Sequence, residues 1–177
     1  KKIKKEGIKY KAEVPFFRNK KNSGDFANDF QVINEFLLKI SRLEKTIPKY
    51  IIYLRPTTPF RNAKIIDKAI KKIKTLKDYD SLVSVHKMPE PIHKKFFIKN
   101  NKLTSVISKL SIDQANEPRQ KFPVSYSANG YLDIIKTKNI YKYKKYLNKK
   151  CYPFVIPKTI DIDDQIDLKI AESFIKK

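Results

Sequence analysis

The residues best suited to chemistry lie near the C-terminus, in Thr159-Ile160-Asp161-Ile162-Asp163-Asp164-Gln165-Ile166-Asp167. Four acids fall within seven positions of a chain that has only 18 acidic residues against 40 basic ones. If the stretch is a strand, residues two apart share a face, so Asp161 and Asp163 stand side by side while Ile160 and Ile162 turn inward. Two carboxylates held that close repel each other unless a cation lies between them. Paired hard oxygen ligands suit Mg²⁺, which takes one or two carboxylates and completes its shell with water and phosphate oxygens. That chemistry is phosphoryl or nucleotidyl transfer. The same string also reads as a helix start, with Asp164 as cap and Asp167 favouring the first turn. Both readings stand at this point.

Composition narrows the classes. At 177 residues the chain fits one ordinary domain with a real core, and its 41% hydrophobic content, with 11 Phe and 10 Tyr, predicts a globular protein. No apolar run is long enough to span a membrane, and no secretory leader is visible. The single cysteine, Cys151, cannot form an internal disulfide; a cytoplasmic location is expected. His86 and His93 have no partners at zinc-site spacing and read as ordinary side chains. The net charge of +22 suggests nucleic acid, but only five of the 40 basic residues are Arg (18, 42, 55, 61 and 119), and the lysines are spread over nearly every segment. Nucleic-acid binding is therefore not expected. The surplus charge still attracts small anions such as nucleotides and acidic sugars.

The elements that must position the acids follow from patterning. Val14–Phe17 reads as a short strand or extended segment. Asn28 caps a helix running to about Glu44, with Phe30, Ile33, Leu37, Ile40 and Leu43 at helical spacing. Tyr50–Leu54 is a continuous apolar run, hence a buried strand, and it stops in Arg55-Pro56-Thr57-Thr58-Pro59-Phe60-Arg61, where two prolines forbid further pairing. Asn62 caps a second helix reaching Leu76, and Ser81–Val85 is the next strand. This βαβ pattern predicts parallel pairing, with ligands beyond the carboxyl ends of the strands. Phe96–Ile98 and Lys102–Thr104 flank Asn100-Asn101, a hairpin turn. Strands follow at Tyr131–Ile135 and Tyr152–Ile156, with a short helix at about Asn139–Tyr146 and a final helix opened by Asp164.

Four segments stand in fixed order: Leu54-Arg55-Pro56-Thr57-Thr58-Pro59-Phe60-Arg61, then Pro118-Arg119-Gln120-Lys121-Phe122-Pro123, then Asn129-Gly130-Tyr131-Leu132-Asp133, then Ile160-Asp161-Ile162-Asp163. Each is weak alone. Together, in this order and spacing, they resemble the acylneuraminate cytidylyltransferases, the CMP-sialic acid synthetase family. The resemblance runs from Val14-Pro15-Phe16 to the last helix. It implies an α/β fold, a Rossmann-like nucleotidyltransferase sheet with helices on both faces.

It also implies a reaction: transfer of CMP from CTP to an acidic nonulosonic sugar, with release of pyrophosphate. Asp161 and Asp163 match the family's Mg²⁺ ligands and so carry the catalytic role. Arg119 matches an arginine lining the substrate site, where a planar guanidinium suits a carboxylate or phosphate. Gln120 and Asn129 offer amide hydrogen bonds, and Gly130 permits a tight backbone. Arg55, Thr57, Thr58 and Arg61 belong to the substrate-side loop, where shaping the turn and touching substrate are both open roles.

Three positions depart from the sialic acid enzymes. Arg55 stands where a glutamine is common, Ser127 where an arginine is common, and Asp133 where a tyrosine is common. These changes leave the sugar open among sialic, legionaminic, pseudaminic and related acids. The family's Gly- and Arg/Lys-rich loop for the CTP triphosphate has no counterpart among Gly7, Gly24 and Gly130, and the only methionine is Met88. The expectation is a single cytidylyltransferase domain, 1–177, lacking its N-terminal CTP-loop segment. The alternative is a catalytically inactive homologue acting as a binding or assembly subunit. Residues 87–126 match the family's β-rich dimerisation arm, which implies a homodimer; the other possibility is that the arm folds back on its own domain.

Overall fold

The computed structural model describes residues 2–24 and 26–175. They form a mixed α/β protein that divides into two compact units. One takes the residues up to Ile51 together with Ile135–Lys150; the other takes Ile52–Ile134 and the residues from Cys151 on.

In the first unit, α1 covers Lys2–Lys9 and α2 covers Asp29–Glu44. Asn28 caps α2 through a reciprocal box: its side chain accepts from Gln31 N, and the Gln31 side chain accepts from Asn28 N. Ile33, Leu37 and Ile40 bury one face of α2. Glu35 is buried too, and its carboxylate accepts from Asn19 N at 2.7 Å and Lys39 Nζ at 2.6 Å. Val14–Phe17, expected as a strand or extended segment, joins no strand. Pro15 lacks a donor for a ladder. The segment is held by side chains instead, with Phe16 against Phe36 and Lys39 Nζ donating to Phe17 O at 2.7 Å. Helix α1 was not foreseen, because its lysine-rich sequence carries no cap signal.

A four-stranded sheet has β1 at Tyr50–Tyr53, β2 at Ser81–Lys87, β5 at Tyr126–Lys136 and β6 at Cys151–Val155, in the order β1-β5-β2-β6. The boundary between the two units cuts β1 and β5. The expected direct pairing of β1 with β2 does not occur, since β5 lies between them. A βαβ pattern shows that two strands can share a sheet, not that they are neighbours. Strands β2 and β6 pair in parallel, Ser81 to Cys151 through Val85 to Val155. Strand β5 runs the other way. Met88 N donates to Ser125 O at one end, and Leu132 N reaches Ser84 Oγ further in. Strand β6 is an edge, where Pro153 is tolerated.

Helix α3 (Ala63–Thr75) is capped by Asn62, whose side chain accepts from Lys64 N, and it buries Ala69 and Ile73. Its neighbour in the fold is β2. Beyond the sheet, β3 (Phe96–Lys99) and β4 (Lys102–Ser105) form the expected antiparallel hairpin. Asn100 and Asn101 turn it with φ of 51° and 58°, the left-handed pair a two-residue turn demands. Short helix α4 (Ile112–Ala115) follows. Helix α5 occupies Thr137–Tyr143, and α6 occupies Gln165–Ile175. Among the described residues, no helix is long and apolar enough to cross a membrane.

Candidate functional site

The site is built within the second unit. The loop after β1, the end of β2 and the segment after β6 meet there, and β5, running back, brings Asn129 and Gly130 to them.

Thr57 and Thr58 lie in the β1 loop. Ile162 N donates to Thr57 O at 2.8 Å, which ties the loop to the acidic segment. The buried Thr58 hydroxyl donates to Asp161 Oδ1 at 3.3 Å, with Asn129 O at 3.5 Å as a second acceptor. Gly130 makes this approach possible. Its φ is +65°, and a Cβ there would meet Thr58 Oγ1 at 3.0 Å and Arg55 Cδ at 3.2 Å. The strand expected at Tyr131–Ile135 is longer, Tyr126–Lys136, so Asn129-Gly130 lies inside it.

Arg61 braces the loop from behind. Its Nε–H donates to Tyr131 O at 2.8 Å, and its Nη2 donates to Arg55 O and to Gly130 O. Burial pulls the Arg61 guanidinium below the usual arginine range, opposed by the nearby Tyr131 and Asp161.

Asp161 and Asp163 were expected on a strand. The structure has irregular backbone from Ile156 to Asp163. Ile160 and Ile162 are only half-buried, and Ile160 lines the cleft. A single hydrogen bond from Ile162 to the β1 loop replaces a ladder. The two carboxylates still face one cleft of about 820 Å³, together with Asn129, Lys158 and His86. Asp161 is half-buried and Asp163 exposed. The helix-start reading holds beside this one. Asp164 Oδ1 accepts from Ile166 N at 2.7 Å and from Asp167 N at 2.9 Å. Asp167 Oδ2 accepts from Asp163 N at 3.1 Å and Asp164 N at 3.3 Å.

Among the described residues, no three or more His, Cys, Asp or Glu side chains are grouped to hold a metal. Mg²⁺ requires fewer: two carboxylates, one with a hydroxyl-bound oxygen, are a hard-donor set that leaves coordination places to water and phosphate.

Asn129 is 5% exposed. Its side-chain carbonyl accepts from Ser84 Oγ at 2.6 Å and Tyr131 N at 3.2 Å, so the amide nitrogen is turned away from both. Arg119 and Gln120 lie on the short turn Arg119–Lys121 and line a neighbouring cleft of about 790 Å³ with Lys87, Phe122 and Lys158. Lys158 therefore borders both clefts. Glu90, between Pro89 and Pro91 of the neighbouring cleft, is paired with Lys95 at 2.7 Å, which lowers its carboxyl below the ordinary value.

Arg55 lines neither cleft. Its guanidinium lies over the Tyr53 ring and 3.8 Å from the buried Asp133 carboxylate. Two of the three unusual positions thus answer each other. Sequence reasoning missed Lys158, Thr159 and His86 as cleft residues. Their position near the end of a strand, or a few residues beyond one, was the available signal.

No family model matches the chain. It is similar to the N-acylneuraminate cytidylyltransferase of Escherichia coli O18:K1:H7 (strain RS218 / NMEC), at 28% identity over 126 residues. The match covers 70% of this chain and 29% of that protein, so the chain spans less than a third of its relative's length.

Proposed function

We propose that the cleft belongs to a Mg²⁺-dependent nucleotidyltransferase that moves CMP from CTP to an acidic nonulosonic sugar. The observation that supports it most is that Asp161 and Asp163 face one cleft, with Asp161 oriented by a buried hydroxyl. The similarity to a cytidylyltransferase points the same way.

On this reading the acceptor's anomeric oxygen attacks the α-phosphorus, a new P–O bond forms, and the bond to pyrophosphate breaks. Asp161 and Asp163 hold the metal, Thr58 fixes the first of them, and Arg61 keeps the loop carbonyls in place. Mg²⁺, when bound, neutralises the triphosphate and the departing pyrophosphate. Arg119 and Gln120, in the adjoining cleft, serve the anionic acceptor with Lys158. Positioning and charge neutralisation carry most of such a reaction. The exposed Phe97 and Ile98 of the hairpin offer apolar surface for a second copy of the chain, as a homodimer through the 87–126 arm would require. The reading places the protein in the cytoplasm with its nucleotide.

The test is pyrophosphate release from CTP in the presence of N-acetylneuraminate and Mg²⁺. Release that needs all three is expected. Binding of CTP or the acid without release assigns the cleft to a binding subunit instead.

A further inference from the structure

Arg119 and Gln120 reach their cleft from a segment with little structure of its own. From Pro118 to Ser125 the only regular element is the turn Arg119–Lys121. It is closed by Lys121 N to Pro118 O at 3.0 Å and Phe122 N to Arg119 O at 3.2 Å. Both Arg119 and Gln120 are exposed, so burial does not hold them. Their place is set by what grips the segment on either side.

That grip comes from a second short turn, Ile92–Lys94. Lys94 Nζ donates to Glu117 O at 2.6 Å and to Ala115 O at 3.4 Å, ahead of the pair. Behind the pair, the His93 ring stacks on the Phe122 ring, with centroids 5.2 Å apart and planes 9° from parallel. Ile92 N donates to Ser125 Oγ at 3.0 Å further on. Three consecutive residues thus hold the segment at successive points, with Arg119 and Gln120 between the first two grips. Among the described residues, His93 Nδ1 is buried and has no hydrogen-bond partner, so that nitrogen does not orient the ring and the stack does. Phe122 is half-buried and lines the cleft beside Arg119 and Gln120. Stacked rings are selective in tilt and offset, which a contact with an aliphatic side chain is not.

We propose that the Ile92–Lys94 turn is a clamp that sets Arg119 and Gln120 in their cleft, and that His93, acting through Phe122, is a positioning residue for an anionic ligand bound there. The clamp rests on the contacts above; the identity of the ligand, an acidic sugar, rests on the nucleotidyltransferase reading. His93 touches no reacting atom on this view. It works only by holding the ring at the foot of the Arg119 turn.

The test measures equilibrium affinity of the whole chain for N-acetylneuraminate and, separately, for Mg²⁺-CTP. Wild type is compared with H93A, H93L and H93F, and unfolding midpoints are recorded alongside. H93F keeps a flat ring and should bind the acid as wild type does. H93A and H93L lose the stack and should bind the acid about two- to tenfold more weakly, with affinity for Mg²⁺-CTP unchanged. H93L keeps the bulk of the side chain and carries the comparison if H93A does not fold. A purely structural role would lower the midpoints without separating the two ligands. Equal weakening towards both ligands, a loss that H93F does not restore, an acid affinity indifferent to H93A and H93L, or no binding of the acid by wild type overturns the clamp. Pyrophosphate release is scored separately. Its absence, while acid binding persists and follows the ring at His93, sinks the transfer reaction and leaves the clamp standing. Release that H93A and H93L leave unchanged at sub-saturating acid sinks the clamp alone.

Discussion

The Thr58 hydroxyl donates to the Asp161 carboxylate across 3.3 Å, joining two residues 103 positions apart in the sequence. A carboxylate oxygen so engaged is held in one orientation, and such supporting bonds typically carry 10–100-fold of metal affinity or activity. Thr58→Val keeps the shape and removes the donor. It is expected to lower Mg²⁺-dependent pyrophosphate release by about 10–100-fold. Raising the Mg²⁺ concentration should recover part of the loss; a variant with wild-type Mg²⁺ dependence would show that the bond is only structural.

Asp161→Asn and Asp163→Asn each remove a charge from the cleft without changing its volume. Both variants should lose roughly 100-fold or more in turnover, as expected when several kcal/mol of charge stabilisation disappear. Asp163 is exposed, so its variant should melt within a degree or two of wild type. If Asp163→Asn retains full activity, the carboxylate pair is not the metal site.

Gly130 stands at φ +65°, with the Thr58 hydroxyl 3.0 Å from where a Cβ would be. Gly130→Ala meets both a backbone penalty and a contact that must give. A loss of about 1–3 kcal/mol is expected in a denaturant titration, with activity falling further than stability accounts for, because the displaced atom is the one that orients Asp161.

Arg55 and Asp133 both depart from the pattern the chain resembles, and they lie 3.8 Å apart. Arg55 is about a third exposed, which weakens the ion pair. A double-mutant cycle with Arg55→Gln and Asp133→Asn should give a coupling of about 1 kcal/mol. Zero coupling would separate the two changes and return Arg55 to consideration as a ligand contact.

Glu35 is held below its ordinary value of 4.5, first by the hydrogen bond to Lys39 and then by Asn19 and Asn22, against the cost of burial. A depressed carboxyl stabilises the fold above its unfolded pKa, and the contribution is lost as pH falls through the folded value. Stability should therefore decline below about pH 4.5 in wild type. Glu35→Gln should flatten that decline while lowering stability at neutral pH. An unchanged acid limb would mean that other carboxyls control it.

Much of this architecture was legible because local physics fixed it. Asn28 and Asn62 precede apolar residues at helical spacing, and both cap helices. Asn100-Asn101 tolerates left-handed backbone, and a hairpin turns there. Strand order was not legible, since β5 inserts between β1 and β2 through tertiary pairing that periodicity does not encode. The alternation around Asp161 suggested a strand, but Ile162 N bonds to Thr57 O in the β1 loop, and the described backbone from Ile156 to Asp163 is irregular. The two carboxylates still share a cleft, because a loop contact at Thr57 sets their position. Asn129 was visible as an amide donor. Its fixed orientation depends on Ser84, 45 residues away, and that dependence has no local trace.

The bond from Ile162 to Thr57 has a kinetic corollary. Capped helices and the tight hairpin form from near neighbours in microseconds, whereas closing a segment of more than a hundred residues waits on the sheet that brings its ends together. The carboxylate cleft is therefore among the last features to assemble as the chain folds. Partly folded forms would keep their helices before Asp161 and Asp163 come to share a cleft.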